Sequence, residues 1–229
     1  GNEFIWEARP TLITMLTLGF YVRPWVKVRY PEIPAVGRFE STYFRPEDWK
    51  PEYPNAAFRN ARPEDRFWAA RIMSRFSDED VRTIVETARF SDRRATDYVT
   101  ETLLARKAKI LSAWLNGTNP VINPSLDGSG LLRFQNAAEA VGVAKPADRY
   151  SISWSRLDNA SGTLTPIGSE QIVTTAAARA PAELLSETFI AATIKALDPD
   201  HPEWQHALII YFRRTSGAGW TVVGLERNP

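Results

Sequence analysis

The run FWAARIMSRFSDEDVRTIVETARFSDRRATDYVTETLLARKAKILSAWL, residues 67–115, is where helical periodicity, capping residues and length agree. It predicts three consecutive helices. Ser77 precedes a helical pattern and Asp80 follows three residues later, a near capping box in which hydroxyl and carboxylate satisfy N–H groups left free in the first turn. The helix behind it places Val81, Ile84, Val85 and Ala88 at i, i+3, i+4 and i+7, one apolar stripe. Ser91-Asp92 opens the next, in which Ala95, Tyr98, Val99, Leu103, Ile110 and Trp114 keep the period for about six turns. Asn116-Gly117 should end it.

Towards the N-terminus the texture changes. Prolines 24, 31, 34, 46, 51, 54 and 63 recur too often for a helix or an inner strand across residues 23–63. Aromatic residues such as Phe39, Phe44, Trp49 and Phe58 are interleaved with them, and disordered segments are poor in aromatics. A rigid strap pinned by its rings is expected. The most apolar stretch lies before it, TLITMLTLGFYV at 11–22, well short of the ~20 residues a spanning helix needs. Its first reading is a buried helix. Its second is an interfacial or partner-binding segment with Trp6, Tyr21 and Trp25 as amphipathic edges, open to peripheral contact with a membrane.

Towards the C-terminus, GTNPVINPSLDGSG at 117–130 reads as a turn-rich linker, after which the period switches from 3.6 to 2. Residues 131–134, 150–157 and 164–175 are strand candidates, with one helical turn near 136–143. Residues 187–197 alternate like a strand but have a composition that also suits a helix, and their strand neighbours favour the strand. A hairpin, ALIIYFRR at 207–214 and WTVVGLER at 220–227, closes the chain through Gly217 and Gly219. The expected core is Trp154, Ile209, Tyr211, Val222 and Leu225. The fold class is therefore α+β: a helical domain 1–116 with the strap 23–63, a linker 117–130, and an antiparallel, sandwich-like β domain 131–229.

Composition narrows the chemistry. With 28 Lys+Arg against 27 Asp+Glu there is no whole-chain attraction to nucleic acid, and Arg106, Lys107 and Lys109 read as charges offsetting a helix dipole. The absence of cysteine excludes disulfides, thiolate metal sites and a cysteine nucleophile. Gly1 opens the chain without an initiator methionine or a signal-peptide pattern, which suggests an upstream part beyond this chain. Metal-ligand residue types gather only at Asp198, Asp200, His201, Glu203 and His206, without a recognised ligand spacing. Trp204 and Trp220, at loop edges, are candidate stacking platforms for a sugar. No phosphate loop or serine-nucleophile motif occurs, and no cofactor is expected.

GRFESTYFRPEDWKPEYPNAAFRNARPEDRFWAARIMSRFSDEDVRTIVETARFSD at 37–92, with TLGFYVRPW before it, LLARKAKIL after it and the closing VVGLERNP, resembles a group of uncharacterised bacterial proteins. In those, a kinase-like region lies upstream, with a histidine-aspartate-type loop and an Asp-Phe-Gly/Asn-type motif. The resemblance implies that residues 1–116 are the tail of a helical lobe and the β domain an appended module. No catalytic residue of this chain follows from it. The expectation is a non-catalytic structural or interaction module, partnered by another protein or by the upstream half. The alternatives are the C-terminal half of a phosphotransferase and a carbohydrate-binding module.

Overall fold

Helices fill the first part of the chain and strands the second, in a computed structural model that describes residues 6–22, 24–216 and 219–227, with only the backbone of residues 24 and 25 described. The chain is α+β, and it divides between Ala113 and Trp114 into two compact units.

The first unit contains α1 (Ala8–Leu16), a 3-10 turn (Pro24–Lys27), α2 (Ala56–Arg59), α3 (Pro63–Met73), α4 (Asp78–Glu86) and α5 (Arg93–Leu115). Local chemistry sets these limits. Pro63 opens α3, where the N–H it lacks would have had no helical partner, and the Arg62 N–H donates to the Asp65 carboxylate at 2.9 Å. At α4 the Ser77 hydroxyl accepts from the Asp80 N–H at 3.0 Å while the Asp80 carboxylate accepts from the Ser77 N–H at 2.7 Å. The Ser77 bonds also hold the Asp80 carboxyl below its ordinary range. Asp92 turns the chain into α5 by accepting from the Arg94 N–H at 2.9 Å.

Three expectations for this unit need correction. The strap is not free of helix: Asn55 caps the single turn of α2 by accepting from the Ala57 N–H, and a 3-10 turn forms at Pro24–Lys27. The stripe of α4 is covered only in part, with Val85 buried and Ile84 56% exposed. And α1 is no buried helix. It stops at Leu16, where the Thr17 hydroxyl donates back to the Ile13 carbonyl at 2.8 Å and Leu18 and Gly19 take φ of +48° and +85°. No residue of α1 is buried.

The second unit holds β1 (Val121–Leu126), β2 (Leu131–Asn136), α6 (Ala137–Ala140), β3 (Arg149–Asp158), β4 (Thr163–Val173), β5 (Ala177–Arg179), β6 (Phe189–Leu197), β7 (Leu208–Arg214) and β8 (Trp220–Arg227). They form two antiparallel sheets, ordered β1-β2-β5 and β4-β3-β6-β7-β8. Residues 117–130 are thus not a linker, since β1 lies within them. Pro124 is tolerated there because the β1–β2 ladder breaks between Ile122 and Ser125, beside Asn123 at φ +50°. Pro166 sits on β4, an edge strand, as a residue without an N–H should.

Between the sheets the core is continuous. Ile152 and Trp154 of β3, Ile190, Ala192 and Ile194 of β6, and Leu208, Ile210 and Phe212 of β7 are all buried and lie opposite one another in register. The Phe134 ring of β2 meets the Tyr150 ring of β3 edge-on at 4.9 Å, joining one sheet to the other. Asn119, fully buried, donates to the carbonyls of Ile194 and His206 at 2.9 and 2.8 Å and accepts from the Val121 N–H. Arg227 donates to the carbonyls of Asn119 and Val121 at 3.2 and 2.6 Å.

Of the expected core only Trp154 is inside. Ile209 and Tyr211 face the other way, and Val222 and Leu225 are exposed. In the run LIIYF both alternate sets are apolar, so a shift of one residue exchanges the faces at no cost visible in the sequence. The turn of the closing hairpin is secured by Thr215, whose N–H and hydroxyl both donate to the Gly219 carbonyl at 2.9 Å. Gly217 and Ala218 lie outside the described residues.

Candidate functional site

Two surfaces of the first unit stand out, and α5 organises one of them. Tyr98, Arg106 and Lys109 clamp the backbone of the strap. The Tyr98 hydroxyl donates to the Phe39 carbonyl at 2.6 Å, and Arg106 donates through Nε to the Glu40 carbonyl at 2.7 Å and through Nη2 to the same oxygen. Lys109 Nζ donates to the carbonyls of Ser41, Thr42 and Phe44 at 2.6, 3.0 and 3.2 Å. The Arg106 guanidinium also lies 4.2 Å from the centre of the Phe39 ring and 4.9 Å from that of Phe44. These cations are not dipole compensation at a helix end. Burial lowers the Arg106 pKa from its ordinary value, by favouring the uncharged form.

The clamp makes Phe44 one wall of a groove of about 350 Å³. Phe76, Val81, Ile84, Leu103 and Ile110 also line it, with Met73, Arg106 and Lys107. Lys107 is engaged, with Nζ 2.5 Å from the Phe76 carbonyl and 3.1 Å from the Asp78 carboxylate. Residues 103, 106, 107 and 110 recur at helical spacing, which is why one face of α5 supplies both apolar lining and the cations.

The second surface is the tip beyond α1. Met15, Leu16, Leu18 and Phe20 are 69%, 74%, 86% and 88% exposed. Neither α1 nor the turn that follows it covers them. Glu7, at the start of this segment, pairs with Lys50 at 2.5 Å. Of the residues expected at the edges, Trp6 is largely exposed and Tyr21 partly so, and the Trp25 side chain lies outside those described.

The remaining candidates are not gathered into a site. Trp204 is fully buried and the His201 ring stacks on it at 4.3 Å, so it cannot offer a face to a sugar. Its position in a 3-10 turn (Pro202–Gln205) folds the ring inward, which loop-like sequence could not reveal. Trp220 begins β8, half-buried, paired with Arg214. Asp198, nearly buried, turns back to accept from the Asp200 N–H at 2.9 Å. Asp198, Asp200, His201, Glu203 and His206 do not form a metal-binding group, and none of three or more such side chains occurs among the described residues. Among the same residues no helix is long and apolar enough to cross a membrane.

No protein-family model, curated protein or solved structure matches this chain.

Proposed function

We propose that the chain is a non-catalytic interaction module that docks on a protein surface through the apolar tip of its first unit. The observation that supports this reading is the exposure of Met15, Leu16, Leu18 and Phe20 side by side in sequence. Contiguous apolar surface of this kind marks interaction sites, whereas single exposed apolar residues are ordinary. Covering four such side chains is worth on the order of 6–12 kcal/mol before the costs of association. The docking surface is that of another chain, or of the upstream region that the sequence resemblance implies.

A photo-crosslinker in place of Phe20 tests this in cells, together with the size distribution of the purified chain. The expected result is a crosslink to a discrete protein and concentration-dependent association in solution, both lost in the Leu18→Asp variant. A monodisperse monomer that crosslinks to nothing overturns the reading. Crosslinking to lipid assigns the tip to a membrane surface instead.

A further inference from the structure

The groove on α5 combines an apolar lining with a charge that forms no salt bridge among the described residues. Lys107 is matched by Asp78 at 3.1 Å. Arg106 has no such contact: its hydrogen bonds go to a neutral carbonyl and its faces to two rings, and the Glu40 charge acts on it from beyond salt-bridge distance. Its Nε and Nη2 are committed to the Glu40 carbonyl, while Nη1 has no hydrogen bond among the described residues. A guanidinium partly removed from water and bonded to a carbonyl is better stabilised by an anion than by solvent it has lost. The rest of the lining is apolar, and a volume of about 350 Å³ lies at the lower end of the ~300–1,000 Å³ common for small-molecule sites. Charge and lining thus select the same kind of molecule, with one anionic end and an aliphatic body.

We infer that this groove binds an aliphatic carboxylate, its tail laid between Phe44 and Ile84 over Leu103 and Ile110, its carboxylate on Arg106. The strap clamp then has a second role. By fixing Phe44 it keeps the groove open in the absence of ligand, so that binding does not have to order the wall.

Calorimetric titration of the chain with decanoate, decan-1-ol and decyltrimethylammonium tests the assignment. Decanoate is expected to bind saturably, about tenfold or more tighter than the alcohol, the value of one charge-assisted hydrogen bond, and the cation not at all. In Arg106→Gln the preference for decanoate over the alcohol should disappear, whatever affinity both probes lose as the Phe44 wall loosens. Ile84 is exposed, so Ile84→Glu and Ile84→Gln should both fold. The glutamate should weaken decanoate at least about tenfold more than the glutamine does, through like-charge repulsion. Equal binding of all three probes, non-saturable uptake, or an Arg106→Gln variant that keeps the full preference for decanoate over the alcohol overturns the inference. The last result would mean that Arg106 only supports the wall.

Discussion

The two units are nearly equal in length and opposite in how they treat apolar surface. Among the described residues, seven buried hydrophobic residues belong to the first unit and twenty-four to the second, while sixteen large exposed ones belong to the first and five to the second. The β unit closes a core on itself: two sheets with Trp154, Ile210 and Phe212 inside, tied at one end by Asn119. The helical unit does not. Much of what holds it is polar, a line of α5 side chains bonded to strap carbonyls, and its apolar tip and groove face outward. A unit that closes a core on itself is stabilised by its own burial, whereas one that leaves leucine and phenylalanine in water forgoes that stabilisation.

The sharpest way to break this contrast is to remove its centre. Trp154→Ala should cost about 3–5 kcal/mol in denaturant unfolding, because it empties a fully packed site. Hydrogen exchange should show β6 and β7 as the best protected segments of the wild type, and greater protection in α3 or α4 would refute the comparison. A smaller effect is expected at Asn119, where leucine would strand the Ile194 and His206 carbonyls. That loss is about 1–3 kcal/mol by the same unfolding measurement, and no change would mean that the two sheets need no polar tie.

The smallest effect is with acid, and it sharpens the contrast. Hydrogen bonds from Ser77, Arg94, Ser129 and Ser161 hold the carboxyls of Asp80, Asp92, Asp127 and Asp158 below their ordinary values, two in each unit. Depressed carboxyls contribute stability that is complete above the unfolded value of about 3.9 and is lost as pH falls from there through the folded values. Both units lose these contributions in that window. Exchange followed by mass spectrometry should nevertheless show the helical unit opening first, since it has less buried core in reserve. Simultaneous opening would show that the two share one cooperative transition.

Legibility followed the range of the interactions. The Ser77–Asp80 cap and the start of α5 after Asp92 depend on neighbours in sequence, and the residues alone announced them. The face of β7 did not, because Ile209 and Ile210 are equally apolar and only the opposing sheet chooses between them. The inward turn of Trp204, the strand hidden in 117–130 and the exposure of α1 were equally hidden. Of the candidate site, the apolar segment and its aromatic edges were visible, but the groove was not. Its walls come from residues 44, 76, 84 and 103, far apart in the chain, and its cation looked like a surface charge.

The amino-acid order by itself determined where α4 and α5 begin and that helices would fill the first part of the chain and strands the second. Those outcomes are set by dihedral preferences and first-turn hydrogen bonds acting over a few residues. Tertiary structure alone decided which apolar residues are covered and which are left in water. Burial is a relation between distant segments, and no periodicity records whether the surface opposite a leucine is another side chain or solvent.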